Sequence, residues 1–348
     1  SALLTETIDL AGAPLVPGFI DAHVHSTGGG GEDGFATQAM PVPLSQFTRF
    51  GVTSVVGLLG TDDETRSTAS LLARTRALRE EGLSAWCWTG GYHVPVTTLT
   101  GSVRRDIVSL GPVIGLGELA ISDHRSSQPT HDELARLASE VHVAGLISRK
   151  AGVLHLHLGD GSRGLAPVRR LLDETELPAR CFHPTHVNRQ MALLEEAIAL
   201  AARGVTIDLT AFPVTEGDPG CTAADAWVAF HNADAPPEQI TISSDGGGCL
   251  PVFDDQGQLE KMDFASSSGL TETLSELLRR GYPLESVLPA LTSNVAHLLR
   301  LPRKGVIKAG FDADLVVLDE RHKPLHVMAR GTWMIRDGKT VTLGTFEE

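Results

Sequence analysis

Cysteines are few in this chain of 348 residues, and no two of them form a Cys-x-x-Cys pair. The four are scattered at Cys87, Cys181, Cys221 and Cys249. Disulfide scaffolds and thiolate zinc sites need cysteines in paired or closely spaced patterns. The sequence therefore predicts neither disulfide bonds nor a zinc site built on thiolates.

Positive charge and long apolar runs are also scarce. Lys and Arg number 29 against 43 Asp and Glu, which gives a formal net charge of -14. Such an acidic chain is a poor match for nucleic acid or an anionic membrane surface. No apolar run approaches the roughly 18 residues of a membrane span, and the first residues lack the pattern of a signal peptide. We expect a cytoplasmic protein that acts on small molecules, with neither nucleic acid nor membrane as a partner.

Apolar, β-rich runs alternate with helical patterns along most of the chain. Segments such as RSTASLLARTRALREEG and RQMALLEEAIALAARG combine helical spacing with a Gly at the expected stop position. Eight strands alternating with helices over roughly 280 residues predict an α/β fold, a (β/α)8 TIM barrel. The eight predicted strands are PLVPGFIDAHVH, GVTSVVGLLG, LSAWCWTGGYHV, VIGLGELAIS, GVLHLHLGD, ARCFHPTHV, GVTIDLTAF and QITISSDGGG.

Ionisable side chains close five of these eight strands, where a barrel builds its active site. They are His23 and His25 on the first strand, Glu118 on the fourth, His157 on the fifth, His186 on the sixth and Asp245 on the eighth. Strands buried on both faces should be nearly all apolar, so packing does not explain this set. The two-residue spacing of His23 and His25 sends both rings to the same side of a strand. Neutral imidazole and carboxylate suit zinc, and also iron, manganese or cobalt.

The ordered motifs FIDAHVH, HLHLGD, PTHVNR and SSDGGG resemble those of the amidohydrolase superfamily of metal-dependent barrels. Longer stretches, HSTGGGGE, GVTSVVGLLGTD, TGGYHVP and AISDHRS among them, resemble the isoaspartyl dipeptidase family along nearly the whole chain. This resemblance implies hydrolysis of the isopeptide (β-aspartyl) bond of isoaspartyl dipeptides, with two divalent metal ions, most simply Zn²⁺, as cofactors. The substrate would carry free amino and carboxylate groups. The enzyme would be a homo-oligomer.

The resemblance also implies how the metals are held. One metal would bind His23, His25 and Asp245, and the other His157 and His186. His155 and His183 would then support neighbouring side chains or pack in the interior. A hydroxide held between the metals would attack the peptide carbonyl, and Asp245 would accept its proton and pass it to the leaving amine.

Further residues match substrate contacts of the family. Glu32 would bind the free α-amino group beside a glycine-rich loop whose backbone approaches the ligand closely. Arg125 and Arg189 would clamp carboxylates with their forked guanidinium groups. Tyr92 would donate to the carbonyl oxygen as it gains negative charge, and Thr61 would contact the aspartyl carboxylate. The full set is Gly30, Glu32, Thr61, Tyr92, Arg125, Arg189 and Cys249.

Two positions depart from the family pattern. Where the family carries a CO2-modified lysine that bridges both metals, this chain has Glu118, whose side chain is shorter. Lys150 precedes the fifth strand, at the wrong end of the barrel, and is expected to be a surface residue. Cys249 stands where the family has a serine near the terminal carboxylate of the substrate, and a thiol is a weaker donor than a hydroxyl.

The last segment alternates like short antiparallel strands joined by turns. It predicts a small β-sandwich domain formed by residues 1–16 and 304–348, with the barrel over residues 17–303. The resemblance implies several strands in the N-terminal part of that domain, whereas only residues 1–16 precede the barrel here; either this part is shortened or a further segment precedes Ser1. Besides an isoaspartyl dipeptidase, two function classes remain open. One is an amidohydrolase acting on another N-acyl amino acid or cyclic amide, and the other, disfavoured by the intact ligands, is a binding protein on the same scaffold.

Overall fold

The computed structural model describes residues 7–215, 217–253 and 259–348, so part of the predicted N-terminal segment 1–16 lies outside the described residues. The strands are β1 (Leu15–Pro17), β2 (Phe19–Val24), β3 (Val52–Gly57), β4 (Ser84–Thr89), β5 (Val113–Ile121), β6 (Leu154–Leu158), β7 (Phe182–Thr185), β8 (Ile207–Thr210), β9 (Ile240–Ser243), β10 (Cys249–Phe253), β11 (Leu259–Phe264), β12 (Leu315–Leu318), β13 (Pro324–Ala329), β14 (Thr332–Arg336) and β15 (Lys339–Thr340).

The α-helices are α1 (Ser45–Thr48), α2 (Thr68–Glu80), α3 (Val103–Ser109), α4 (His131–Ser148), α5 (Ala166–Glu174), α6 (Met191–Ala201), α7 (Ala223–Asn232), α8 (Ser268–Arg279), α9 (Leu284–Val287) and α10 (Ser293–Leu298). In the described part of the chain, no helix has both the length and the apolar character that a membrane crossing requires.

A curled parallel sheet forms the centre of the molecule. Strands β2 to β7 pair in chain order, and β8 and β9 form a further parallel pair. A parallel bridge between Val24 and Gly246 joins the end of β2 to the segment after β9, while β8 packs beside β7. Each of the eight predicted runs contains one of these parallel strands. The arrangement agrees with a TIM-like barrel.

Local sequence signals explain the helices that cover this sheet. Helix α2 begins after Ser67, whose side chain accepts a hydrogen bond from the backbone N–H of Ser70 in a capping box. It is followed by Gly82, which has a φ of +104° that glycine adopts without steric cost. The buried face of α2 includes Leu71 and Leu78. Both predicted helical segments are therefore confirmed as α2 and α6.

The two ends of the described chain meet in one antiparallel sheet, ordered β1-β12-β13-β14-β15. In its register, Leu15 lies opposite Val317 and Pro17 opposite Leu315. The chain passes directly from this sheet into the barrel, since β2 begins at Phe19. A β-sandwich would need a second layer packed on this sheet, and that layer stays a prediction. The predicted domain boundaries stay predictions as well.

Two features differ from what the sequence led us to expect. Strands β10 and β11 form an antiparallel hairpin beyond β9, with Cys249 opposite Phe264. Lys150 precedes β6 as expected, but it is half-buried rather than a surface residue. Its Nζ donates to the carbonyl oxygens of Ile107 and Leu110, at 2.5 and 2.6 Å. The lysine therefore donates to two backbone acceptors near the end of α3.

Candidate metal centre and substrate pocket

The histidines and carboxylates singled out by the sequence converge at one end of the parallel sheet. They are His23 in β2 and His25 just after it, Glu118 in β5, His157 in β6, His186 after β7 and Asp245 after β9. The carboxyl ends of parallel strands in a barrel meet at one face, which is why residues so far apart in sequence come together. Glu118 lies inside its strand, which continues to Ile121.

Glu118 lies between histidines of both predicted metal groups. Its Oε2 is 2.7 Å from Nε2 of His23, and its Oε1 is 2.7 Å from Nδ1 of His157. Oε1 also lies 3.8 Å from Nε2 of His186. Asp245 contacts two of the histidines, with Oδ1 at 3.0 Å from Nε2 of His25 and 3.3 Å from Nε2 of His23. The Glu118 carboxylate thus connects His23 of one predicted metal group with His157 of the other.

Several polar atoms in this cluster are buried and, although they lie close to one another, form no hydrogen bond of acceptable geometry among the described residues. They are Nε2 of His23, Nδ1 of His25, Oε2 of Glu118 and Oδ1 of Asp245. Buried polar atoms are nearly always paired, so unpaired atoms this close together fit a site that holds a cation. Imidazole nitrogens with carboxylate oxygens are the donor set of zinc and similar divalent metals.

Two triplets have ligand atoms that all lie within 4.8 Å of one another: His23 with His25 and Asp245, and His23 with Glu118 and His186. The first triplet is the group predicted for one metal. The second triplet contains His23 beside His186, whereas the sequence predicted that His157 would bind a metal together with His186. The ring of His157 contacts Glu118 through Nδ1, and its Nε2 is 3.0 Å from Oδ2 of Asp123. The residues fit a divalent metal, while the two-metal ligand assignment stays a prediction.

The surroundings shift the pKa values of the cluster. Burial disfavours a charged His23, but the carboxylates of Glu118 and Asp245 outweigh it and raise the pKa of His23 well above its usual value. Burial disfavours ionised Glu118, but the positive charges of His23 and His157 outweigh it and hold the pKa of Glu118 well below its usual value. Burial opposes ionisation of Asp245 too, and its close contacts with His23 and His25 nevertheless lower its pKa. Burial lowers the pKa of His186 to about 4. Ionised carboxylates and a neutral imidazole are the forms that bind metals.

A small pocket of about 70 Å³ opens above this cluster. It is lined by every residue of the predicted site except His23, which is fully buried. Thr61 donates from Oγ1 to Oε1 of Glu32 at 2.7 Å, and Arg125 donates to Oε2 of Glu32 at 2.9 Å. Residues that the sequence singled out in separate loops thus share one cavity and contact one another.

Tyr92 lies deep in the pocket, with its hydroxyl 2.8 Å from Nδ1 of His157. The guanidinium of Arg125 lies 5.5 Å from the centre of its ring. Burial, together with the negative charge of Glu118, raises the pKa of Tyr92 well above its usual value. The phenol therefore keeps its proton at neutral pH and can donate a hydrogen bond.

Two more predicted contacts line the outer part of the pocket. Arg189 donates to the carbonyl oxygen of Leu158 at 2.9 Å, and its Nε lies 3.8 Å from Oδ1 of Asp160. Cys249 begins β10 and is half-buried, and burial raises the pKa of its thiol. The thiol is therefore protonated at neutral pH.

The glycine-rich loop has a fixed shape. Gly30 has a φ of +79°, and a Cβ at this position would lie 2.3 Å from the carbonyl oxygen of Thr37. Arg66 donates to the carbonyl oxygens of Gly29 and Ala39 at 3.2 and 3.1 Å. Only glycine fits such a close backbone approach. Sequence reasoning missed the role of Arg66, because no local pattern indicates that its side chain reaches back to this loop.

Asp123 is a second residue that sequence reasoning missed. It is 4% exposed, and its Oδ2 accepts from Arg125 at 2.8 Å besides contacting His157. Arg125 also donates from its backbone N–H and Nε to Oδ1, at 2.7 and 3.0 Å. Burial opposes ionisation of Asp123, but hydrogen bonds from His157 and Arg125 outweigh it and hold the pKa of Asp123 well below its usual value. The available signal was its place two residues before Arg125 in SDHRS.

His155 and His183 lie below the cluster and are fully buried. Nε2 of His155 is 2.8 Å from Nδ1 of His23. Burial lowers the pKa of His183 to about 4 and the pKa of His155 well below its usual value. Both rings are neutral and face the interior, as expected for residues that support a neighbouring side chain.

Comparisons with known proteins agree with this geometry. The amidohydrolase family model matches residues 15–341. The chain is 43% identical to β-aspartyl dipeptidase of Fervidobacterium islandicum AW-1, whose crystal structure holds the dipeptide β-Asp-Leu. That match covers 96% of this chain and 87% of the other, with a TM-score of 0.89. A second crystal structure of a β-aspartyl dipeptidase from that organism gives 41% identity, a TM-score of 0.90 and coverage of 100% and 90%.

More distant relatives have other activities. Adenine deaminase 2 of Carboxydothermus hydrogenoformans is 25% identical over 351 residues, which cover 97% of this chain and 52% of that protein. The chain thus spans about half the length of the curated relatives it matches. Because the family model covers nearly all of the sequence and the β-aspartyl dipeptidase structure is similar over almost its whole length, this chain belongs to the amidohydrolase family.

Proposed function

We propose that this protein hydrolyses the β-aspartyl bond of isoaspartyl dipeptides in a metal-dependent reaction. The observation that carries the proposal is the single pocket in which the imidazole and carboxylate cluster adjoins Glu32, Arg125 and Tyr92. The similar protein from Fervidobacterium islandicum, with β-Asp-Leu bound, supports the choice of substrate.

The proposed cofactors are two divalent metal ions, with zinc as the first choice. His23, His25 and Asp245 would hold one and His157 and His186 the other, with Glu118 between them. When bound, such metals supply two effects, a lowered pKa for water and a polarised scissile carbonyl. The unpaired buried atoms of the cluster support this assignment.

Asp245 is the proposed general base and acid. Its carboxylate faces His25 and His23, and those contacts favour the ionised form, which accepts a proton. The same carboxyl group would then protonate the leaving amine. Tyr92 retains its proton and would donate to the carbonyl oxygen as negative charge develops there.

Charge complementarity supports a dipeptide with free ends. Glu32 and Arg125 now form an ion pair across the pocket, at 2.9 Å. A substrate that carries both an ammonium and a carboxylate can insert between them, with its amine on Glu32 and a carboxylate on Arg125. Arg189 would bind the other of the two carboxylates of the dipeptide. Thr61 would add a contact to whichever of them is the aspartyl carboxylate. Gly30 and Cys249 would line the same space.

The finer architecture and the setting are also proposals. Residues 17–303 would close into a complete (β/α)8 barrel, and residues 1–16 and 304–348 would form a small β-sandwich. The resemblance to the isoaspartyl dipeptidase family supports a homo-oligomer, and the sequence pattern supports a cytoplasmic enzyme. Light scattering on the purified protein measures the number of subunits.

A substrate screen tests the function. Purified protein of measured metal content is offered β-aspartyl dipeptides, the matching α-aspartyl dipeptides, N-acyl amino acids and cyclic amides. We expect turnover of the β-aspartyl series, with the α-aspartyl series far slower. Turnover of N-acyl amino acids or cyclic amides alone would assign the protein to a different amidohydrolase activity. No turnover of any substrate by fully metal-loaded protein would contradict a catalytic function.

A further inference from the structure

A line of side chains runs from His23 into the interior, away from the pocket. Nδ1 of His23 lies 2.8 Å from Nε2 of His155, and Nδ1 of His155 lies 2.9 Å from Nδ1 of His183. Nε2 of His183 lies 2.9 Å from Oγ1 of Thr241, which donates to Oδ1 of Asp208 at 2.6 Å. All five residues are fully buried. We call His155, His183, Thr241 and Asp208 the buried relay.

The far end of the buried relay fixes the direction of its hydrogen bonds. Asp208 accepts from three hydroxyls, those of Thr241, Ser243 and Thr185, at 2.5 to 2.7 Å. A hydroxyl has one proton, and Thr241 gives its proton to the carboxylate. Its oxygen must therefore accept from Nε2–H of His183. A neutral imidazole has one N–H, so Nδ1 of His183 carries the lone pair.

A backbone contact independently determines the tautomer of His155. Nδ1 of His155 lies 3.1 Å from the carbonyl oxygen of His183, which can only accept. Nδ1 of His155 therefore carries the proton, and its Nε2 carries the lone pair. This lone pair accepts the Nδ1–H of His23. The ring of Trp88 stacks on His155 with centroids 5.1 Å apart and 13° between planes, which holds the imidazole in this orientation.

We propose that the buried relay keeps a proton on Nδ1 of His23, so that Nε2, the nitrogen that faces Glu118 and Asp245, is the one that gives up its proton and offers its lone pair when a metal binds. Nε2 is the atom that lies 2.7 Å from Glu118 and 3.3 Å from Asp245. A metal ligand needs this lone pair, and a partner on the other ring nitrogen determines which tautomer is present. The inference rests on the proposed metal site but not on the identity of the substrate. The members of the buried relay are positioning residues.

The chain offers a matched pair of variants. Thr241 and Ser243 both lie on β9, and both hydroxyls donate to the carboxylate of Asp208. Thr241→Val breaks the buried relay, whereas Ser243→Ala removes a buried hydroxyl from the same carboxylate and leaves the relay complete. A role in core stability alone would make the two variants alike. Asp208→Asn is a third variant. Its amide group can donate as well as accept, so the hydrogen bonds of the buried relay can run in the opposite direction.

The experiment measures metal binding without substrate. Parent and variants are stripped with a chelator and titrated with Co²⁺, and both the affinity and the visible absorption spectrum are recorded. We expect Thr241→Val and Asp208→Asn to weaken binding roughly 10- to 100-fold with an altered spectrum, since partners of ligating histidines have effects of this size. Ser243→Ala should keep the affinity and spectrum of the parent. Thermal unfolding of each stripped protein controls for folding.

Equal losses in Thr241→Val and Ser243→Ala would overturn the proposal, as would parent-like binding by both Thr241→Val and Asp208→Asn. If Thr241→Val does not fold, Asp208→Asn against Ser243→Ala decides by the same criteria. A parent protein that binds Co²⁺ with the expected pattern of variants but cleaves no β-aspartyl dipeptide would remove the proposed function and leave this inference standing.

Discussion

His23 and His157 each lie 2.7 Å from a different oxygen of Glu118, but their other ring nitrogens face opposite surroundings. The second nitrogen of His23 faces neutral rings in the closed interior. That of His157 faces Asp123, whose carboxylate also binds Arg125 in the pocket wall. Changes near His23 should therefore alter metal binding alone, whereas changes near His157 should alter metal binding and substrate binding together.

Removing the metal should have the largest effect, because it removes what both histidines are proposed to hold. We expect chelator-treated protein to lose β-aspartyl dipeptidase activity, and added Zn²⁺ to restore it. The melting temperature should fall in parallel, since a ligand that binds only the folded state stabilises that state. Activity and thermal unfolding measured on the same samples check this. Full turnover by protein shown to be free of metal would contradict the proposed chemistry.

Asp245→Asn should have the next largest effect. The amide retains an oxygen that can face His25, but it cannot accept a proton. We expect near-normal metal content and a kcat that falls roughly 100- to 10,000-fold, the usual range for a general acid–base residue. Elemental analysis and steady-state kinetics measure the two quantities. A variant with unchanged kcat and unchanged metal would show that another group moves the proton.

Glu118 contacts both His23 and His157, so Glu118→Ala should affect metal binding at both histidines. We expect this variant to lose bound metal, because the negative charge between two closely spaced cations is gone. Activity of the parent should not depend on bicarbonate, as no lysine has to be carboxylated. Glu118→Lys restores the residue of the family and should recover part of the activity when bicarbonate is added.

Two results bear on that expectation. Glu118→Ala with two tightly bound metals and parent-like turnover would mean that Glu118 is not a ligand. Bicarbonate-dependent activity in the parent would point to a different bridging group. Metal analysis and rates measured with and without bicarbonate distinguish these cases.

Asp123→Asn tests the surroundings of His157, which adjoin the pocket. The amide still accepts from Arg125, but the negative charge that holds Arg125 and His157 together is absent. We expect metal affinity to weaken on the order of 10-fold, as for partners of ligating histidines, with a rise in KM. Thr241→Val should change metal affinity without a matching change in KM at full metal occupancy. Asp173→Asn is the control, because Asp173 is largely exposed, pairs with Arg203 and does not line the pocket.

Cys249→Ser should have the smallest effect. A hydroxyl is a stronger donor than a thiol, so we expect a modestly lower KM with kcat and metal content unchanged. Steady-state kinetics with several C-terminal residues in the dipeptide measure the change. A large loss of kcat would show that the thiol itself takes part in the reaction.

The sequence predicted the strands and the cluster for clear physical reasons. Apolar runs ended by ionisable groups indicated where buried strands reach the active face, and this pattern located His23 and Asp245. The ligand assignments and the substrate contacts of Glu32 and Arg125 came from the family resemblance. Asp123 could not be assigned from local pattern, because its importance lies in one carboxylate that reaches two side chains.

Other features depend on distances that no sequence pattern encodes. The burial of Lys150 follows from carbonyl oxygens about 40 positions away. The relay from His155 to Asp208 follows from four strands, β6 to β9, meeting in the interior, and HLHLGD alone left open whether its first histidine is a ligand. Arg66 likewise reaches the glycine loop across 37 positions.

The sheet that joins the ends of the described chain affects how the protein is made. Leu15 pairs with Val317, and the backbone N–H of Ser45 donates to the carboxylate of Glu347, 302 positions later. A ribosome adds about 5 to 20 residues per second, so β1 waits on the order of 15 to 60 seconds for its partner strand. During that time β2 to β9 are already outside the ribosome and able to pair with one another. The parallel strands that carry the candidate metal site can therefore pair before the antiparallel sheet is completed.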